Sequence, residues 1–257
     1  MCLINFQFQT HPNYKLIVAA NRDEFYERPT APAQLWEDHP NILAGRDLLK
    51  RGTWLGITKK GRFAALTNFR DPNQVEDGKK SRGKIVKQFL TSNTSPQNFL
   101  KHLQESKDDY VGFNLIVGNP EELYYYNNIG NEITKITPGT YGLSNHFLNT
   151  PWPKVVKGRK RLNNYVSQQS IIQPEPLFEM LTDRTEAPDQ NLPNTGVGIE
   201  LERKLSPLFI QTSDYGTRSS TVLFIDQHND MTFVERTYNQ GSLIDEKRYR
   251  FQLTMMG

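Results

Sequence analysis

Cysteine is nearly absent from this chain, since Cys2 is the only one in 257 residues. A single thiol excludes an internal disulfide framework and a zinc site built on cysteines. Histidine is also scarce, and none of the five lies at metal-ligand spacing from another. We therefore predict neither a metal nor a cofactor. A lone free thiol is typical of reducing compartments, so we expect a cytoplasmic protein.

Long apolar runs and a one-sided charge are missing as well. No stretch approaches the ~20 residues of a membrane-spanning helix, and the first residues lack the basic and apolar regions of a secretory signal. The net charge is only +3, and most basic residues alternate with acidic ones, so no nucleic-acid partner is predicted. A solvated surface is the simpler account of the basic clusters at 79–82 and 157–161, with an anion site as the alternative.

What the sequence does contain is a thiol at its start. Cys2 directly follows Met1, and cysteine is small enough for Met1 to be removed, which makes Cys2 the mature N-terminus. A terminal cysteine carries a thiol and an α-amine, and the amine is partly unprotonated at neutral pH. Nucleophile and base are then covalent neighbours, so no separate histidine is needed. The alternative is a small buried core residue, as free cysteines commonly are.

Polar clusters recur at the tips of predicted strands. Four such tips carry amide, guanidinium and carboxylate groups: Asn21-Arg22-Asp23-Glu24, Asn68, Asn145 and Arg218. Several tips of this kind together indicate the wall of a site. Asparagine is also a common turn residue, and an arginine can simply pair with a surface acid, so both accounts stay open.

The order of predicted elements favours an α+β fold in one domain, residues 1–257. Hairpins are expected at 2–21 and 52–68, short strands at 110–136, and a last strand set at 216–253. Helices are predicted at 83–90, from Ser95 onward, at 155–166 and at 175–182. The segment that contains Pro29, Pro32 and Pro40 is expected to be an irregular loop, as is 183–198. Because strand blocks and helix blocks are segregated, the sheets are predicted to be mostly antiparallel.

Met1-Cys2 together with Asn21-Arg22-Asp23-Glu24 and the other polar tips resembles the NRDE family, also called the transport and Golgi organisation 2 family, over nearly the whole chain. The layout is similar, more remotely and by motif order, to N-terminal-nucleophile hydrolases of the choloylglycine hydrolase and penicillin V acylase type. The resemblance implies an αββα sandwich, with two antiparallel sheets between helical layers. It also implies a hydrolase that cleaves an acyl amide or acyl thioester through an acyl-enzyme.

The resemblance assigns a role to each polar tip. Cys2 is the nucleophile, Asp23 orients the α-amine, and Arg22 lies near the sulfur, where a cation favours the thiolate. Asn145 donates its amide to the tetrahedral oxyanion, with a backbone N–H near Asn68 as the second donor. Arg218 holds the cluster together or meets an anionic substrate group. The residues expected to contact the substrate are Asn21, Trp36, His146 and Trp152.

One feature departs from the hydrolase pattern, because Arg22 and Asp23 are adjacent. Neighbours in a regular strand point to opposite faces of the sheet. We therefore expect Asn21 and Asp23 to share the Cys2 side while Arg22 faces away, unless the strand bulges there.

A binding or trafficking protein on the same scaffold is the alternative function. The family is associated with lipid, acyl-coenzyme A and haem handling. Phosphate or propionate groups would then meet Arg70, Lys154 and Lys157, and aromatic side chains would grip the apolar part. Haem needs an axial ligand, which only Cys2 or His146 offers. The sequence predicts no oligomeric state.

Overall fold

The computed structural model describes residues 2–75 and 77–254, so the predicted removal of Met1 lies outside the described residues. The strands are β1 (Cys2–Phe8), β2 (Tyr14–Phe25), β3 (Thr30–Leu35), β4 (Ile42–Asp47), β5 (Leu55–Thr58), β6 (Phe63–Asn68), β7 (Phe113–Gly118), β8 (Leu123–Asn127), β9 (Glu132–Lys135), β10 (Gly139–Leu143), β11 (Tyr215–Asp226), β12 (Asp230–Asn239) and β13 (Ser242–Gln252). The helices are α1 (Gly83–Thr91), α2 (Pro96–Glu105), α3 (Pro153–Gln168), α4 (Pro174–Leu181) and α5 (Ile199–Leu205). Within these residues, no helix is long and apolar enough to cross a bilayer.

The strands form two sheets in which each pairing is antiparallel. The first sheet has the strand order β10-β1-β2-β11-β12-β13, and the second runs from β3 to β9 in chain order. β1 is therefore an inner strand, paired on both sides. Its first residue, Cys2, lies at the end of β1, between the ends of β10 and β2.

Residues of β1 and β2 alternate between two hydrophobic cores, as the period of two in a strand requires. Ile4 and Val18 face the second sheet in the inter-sheet core. Leu3 and Ile17 face the other way, into a core shared with α3 and α4. A third core lies between the second sheet and helices α1 and α2. The layers are therefore helix, sheet, sheet, helix, which confirms the predicted αββα sandwich.

Two segments differ from the sequence prediction. The proline-rich segment contains β3, where an irregular loop was expected. β3 is an edge strand whose pairing with β4 is irregular between Ala31 and Gln34. Pro32 lies inside that irregularity, and prolines are tolerated at edges and bulges because no ladder hydrogen bond is lost there. The long loop predicted at 183–198 includes a single 3-10 turn, Asp189–Asn191, and leads into α5, which was not predicted.

Two glycines allow α3 to approach the first sheet closely. A Cβ atom at Gly158 of α3 would lie 2.6 Å from Oδ1 of Asn5 in β1. A Cβ atom at Gly142 of β10 would lie 2.9 Å from Val155 Cγ1 of α3. Both distances are shorter than a carbon side chain permits. The missing side chains therefore allow the first two turns of α3 to pack closely on β1 and β10.

Candidate functional site

A cavity of about 310 Å³ opens at the strand tips, where the two sheets meet. The first sheet contributes Cys2, Arg22, Asp23 and Arg218 to its lining, and Asn68 comes from the second sheet. Residues 79–83, which lead into α1, form part of the wall. Five of the six residues predicted to be catalytic thus line one cavity, and the sixth, Asn145, contacts Cys2.

Cys2 lies directly opposite Arg22 in the β1–β2 ladder. Directly paired residues of antiparallel strands project to the same face, so the thiol and the guanidinium both point toward the second sheet. The predicted arrangement, with Arg22 facing away from Cys2, was wrong because sequence alternation does not give the register between two strands. Nη1 of Arg22 donates to Oγ1 of Thr30 at 3.4 Å, and Nη2 lies 3.7 Å from Oε2 of Glu24.

A β-bulge lies beside this pair, in β11 rather than in β2. Thr217 is opposite Asp23 and Ser219 is opposite Arg22, so Arg218 is the extra residue. The hydroxyl of Thr217 donates to Oδ1 of Asp23 at 2.7 Å. The Nη1 group of Arg218 donates to backbone carbonyls of the β2–β3 connection, those of Phe25, Tyr26 and Arg28. Arg218 therefore fixes the rim of the cavity.

Burial raises the pKa of the Cys2 thiol above its usual value, and the carboxylate of Asp23 acts in the same direction. A backbone hydrogen bond from Asp23 and the charge of Arg22 lower it by less. The thiol is therefore protonated at neutral pH, although Arg22 alone would favour the thiolate. Burial also raises the pKa of Asp23, against the opposing effects of Lys154 and Thr217. A protonated nucleophile requires a base within reach.

Asn145 joins the Cys2 strand to the second sheet. Its Oδ1 accepts a hydrogen bond from the Cys2 backbone nitrogen at 3.4 Å, and its Nδ2 donates to the backbone oxygen of Asn68 at 2.8 Å. The Asn145 amide, predicted as an oxyanion donor, is thus already engaged by Asn68. The Asn68 side chain itself is exposed and lines the cavity. Asn145 therefore connects the Cys2 strand to the second sheet, and the side-chain amide that faces the cavity is that of Asn68.

A buried group of charges lies on the helix side of the first sheet. Lys154, in the first turn of α3, is 3% exposed, and its Nζ has no hydrogen-bond partner among the described residues. Burial lowers its pKa to about 8, and the charge of Asp23 opposes that shift. Nearby, Arg70 donates to Glu202 of α5 at 2.7 Å. The sequence singled out Arg70 and Lys154 only as cations, and it missed Glu202 because α5 was not predicted.

Two residues predicted to contact substrate are structural. Asn21 is fully buried on the helix side, where Nδ2 donates to the carbonyls of Leu181 and Leu208 at 2.9 and 2.8 Å. Trp36 is 1% exposed in the core between the second sheet and α1, and its Nε1 donates to Ala44. Neither lines the cavity. The structure therefore places both residues away from the cavity. A polar strand tip and a loop aromatic look alike in sequence whether they face a pocket or a core.

His146 and Trp152 lie near Asn145 but outside the cavity lining. The His146 ring packs against Phe69 and Trp152, with centroids 4.9 and 5.8 Å apart. Its Nδ1 is hydrogen-bonded to Thr150 at 2.9 Å, and burial lowers its pKa. The two residues therefore belong to an aromatic cluster that supports the loop before α3.

The cavity lining carries more cations than acids. Among its described lining residues, the cations are Arg22, Arg28, Arg46, Lys50, Lys79, Lys80, Arg82 and Arg218, and the acids are Asp23, Glu24, Asp47 and Glu235. Glu235 is 4% exposed, and it accepts a hydrogen bond from the Ala33 N–H at 2.6 Å. Burial raises its pKa to about 7. The sequence gave no sign of Glu235, which lies in mid-strand with no motif around it.

Comparisons with known proteins show the family and the fold of this chain. The family described as Transport and Golgi organisation 2 matches residues 1–240. The chain is 35% identical to the Transport and Golgi organization 2 homolog of Mus musculus, over 98% of this chain and 96% of that protein. It is 33% identical to the Homo sapiens homolog, over 99% of each. A solved structure of the C2A mutant of conjugated bile acid hydrolase from Clostridium perfringens is similar in fold, with a TM-score of 0.52, 9% identity, and coverage of 99% of this chain and 98% of that one.

Proposed function

The chain belongs to the transport and Golgi organisation 2 family, and from its site we propose that it is a cysteine N-terminal-nucleophile hydrolase acting on an acyl amide or acyl thioester. The observation that carries the proposal is the convergence of Cys2, Arg22 and Asp23 at one cavity, with Asn145 hydrogen-bonded to the Cys2 nitrogen. The fold shared with a bile acid hydrolase supports it. We place the protein in the cytoplasm, because an unpaired catalytic thiol needs a reducing compartment.

In the proposed reaction Met1 has been removed, and the Cys2 nitrogen is a free α-amine. The amine accepts the thiol proton as the sulfur attacks the acyl carbon, and the carbonyl electron pair moves onto oxygen. When the tetrahedral intermediate collapses, the acyl C–N or C–S bond breaks and the ammonium gives its proton to the leaving group. Water then attacks the thioester with the amine as base. Hydrolysis releases the acid and restores the thiol.

The neighbouring groups support these steps. Asn145 Oδ1 holds the Cys2 nitrogen in place, at 3.4 Å. Arg22 shares a face with the thiol and stabilises negative charge as the proton leaves the sulfur. The side chain of Asn68 lines the cavity and is the proposed donor to the oxyanion. Asp23, held by the Thr217 hydroxyl at 2.7 Å, is the proposed residue that orients the amine.

The lining favours an acyl substrate that carries an anionic group. The lining has eight cations and four acids, and two of the cations, Arg46 and Lys80, are paired with Asp38 and Asp109 outside it. The remaining excess of positive charge raises the local concentration of anions. Arg22 of β2 and Lys50, which follows β4, both line the cavity. Trp54 is the aromatic residue of the described lining.

Intact mass spectrometry tests the proposal directly. We expect the purified protein to lack Met1 and to gain one acyl group on Cys2 when incubated with p-nitrophenyl acetate. Cys2→Ala, checked for native fold by circular dichroism, is expected to lose both the acyl adduct and the rapid release of p-nitrophenolate. Labelling that persists unchanged in Cys2→Ala would end the proposal.

A non-catalytic carrier is the second candidate, and the cationic cavity is the observation that favours it. Acyl-coenzyme A and anionic lipids suit this lining better than haem, because no histidine occurs among the described lining residues and Cys2 is the one available axial ligand there. Acyl-coenzyme A binding of equal strength in the wild type and in Cys2→Ala, with no hydrolysis in either, would favour the carrier.

A further inference from the structure

We propose that Lys154 is a positioning residue that keeps the α-amine of Cys2 unprotonated, so that the amine can act as the base. The inference rests on the hydrolase proposed above. It concerns α3, which packs on the helix side of the first sheet, away from the wall that residues 79–83 build.

The first argument is the position of the ammonium group. Lysine is almost never fully buried unless it is paired, yet Lys154 is 3% exposed and Nζ has no hydrogen-bond partner among the described residues. A packing role is served better by an apolar side chain of the same length. The close approach of α3 at Gly158 and Gly142 holds the ammonium at this depth. The arrangement therefore calls for an electrostatic role.

The second argument is the balance of charges around Lys154. The groups that act on it come from β1, β2, the segment after β6, and α5, and they are Cys2, Asp23, Arg70 and Glu202. Arg70 and Glu202 form an ion pair at 2.7 Å and offset each other. Arg22, which also acts on Asp23, faces the cavity and lies 3.7 Å from Glu24. The remaining pair on the helix side is Lys154 with Asp23.

This balance decides the protonation of the amine. A carboxylate beside an amine stabilises the ammonium form and raises the pKa of the amine. Asp23 alone would therefore hold the Cys2 amine as a cation, which cannot accept the thiol proton. The positive charge of Lys154 offsets Asp23, so that the cluster is neutral when the amine is neutral. With a pKa lowered to about 8, Lys154 still carries its charge at neutral pH.

The test is the pH dependence of Cys2 acylation. Rapid mixing of the Met1-free protein with p-nitrophenyl acetate gives the rate of the first release of p-nitrophenolate. When this rate is plotted against pH, the acidic limb of the curve reports the pKa of the amine. Lys154→Met is expected to move this limb to higher pH by about one unit, the lower end of the shift that one nearby charge produces. Lys154→Arg keeps the charge and is expected to restore the limb toward the wild-type position.

Lys157→Met is the matched control, because Lys157 lies in the same helix and is paired with Asp183 at 2.7 Å. Its acidic limb is expected to coincide with that of the wild type. An unmoved limb in Lys154→Met, even with a lower plateau rate, would overturn the inference and leave Lys154 a structural role. If Lys154→Met fails to fold, the same pH dependence is measured with Lys154→Gln, which also removes the charge. Failure of the hydrolase itself looks different, since the rapid release would then persist in Cys2→Ala, and both proposals would fall.

Discussion

The substitution Glu235→Gln tests how burial of one cavity-lining carboxyl group changes the free energy of unfolding with pH. Burial raises the pKa of this carboxyl from its usual range near 4.5 to about 7. The folded protein therefore holds the proton more tightly than the unfolded chain does. Its contribution to stability is fully present below about pH 4.5 and is lost as the pH rises through about 7. At about 1.4 kcal/mol per unit of pKa, the loss amounts to about 3 kcal/mol.

Glutamine imitates the protonated carboxyl, so it keeps an acceptor for the Ala33 N–H and removes the titration. Urea unfolding followed by tryptophan fluorescence measures the free energy of unfolding at several pH values. Relative to the wild type, Glu235→Gln is expected to gain less than about 1 kcal/mol at pH 5 and about 3 kcal/mol at pH 8. Glu132→Gln, an exposed residue of β9, is the control and is expected to show no such growth. A difference between Glu235→Gln and the wild type that stays constant with pH would refute the reasoning.

Two further predictions concern the helix side of the first sheet. Lys154→Met is expected to raise the free energy of unfolding at pH 7 by about 3 kcal/mol, because the buried ammonium has a pKa lowered to about 8; a loss of stability in urea unfolding would contradict this. Asn21→Ala is expected to lower the free energy of unfolding by about 3 kcal/mol, since it leaves the buried carbonyls of Leu181 and Leu208 without their donor. A loss below about 1 kcal/mol in the same assay would show that water replaces the amide.

The layers of the fold were predictable because they follow from local pattern. Short stretches of sequence show the apolar alternation in β1 and β2 and the segregation of helices from strands. The two-sheet sandwich was predicted from the family resemblance. β3 was missed because Pro32 argues against a strand unless the strand is known to be at an edge, and edge position depends on the whole sheet. The face of Arg22 was wrong for a similar reason, since register is set between strands.

The sequence allowed the residues of the site to be predicted, but not the contacts that these residues make. Antiparallel strands with polar tips bring Cys2, Asp23 and Asn145 to one end of the sandwich, and the tips could be read directly. The partners of those tips could not, because they lie far away in sequence. The proximity of Lys154 to Asp23 depends on how closely α3 packs on the first sheet, and no local sequence motif predicts that distance.

The position of Cys2 inside the first sheet has a practical consequence for anyone who produces this protein. The Cys2 nitrogen is hydrogen-bonded to Asn145, and Cys2 lines the cavity. An affinity tag fused ahead of Cys2 would hold this nitrogen as an amide, which cannot act as a base. Under the mechanism proposed above, preparations purified by such a tag would be folded and yet inert, so purification handles belong at the other end of the polypeptide.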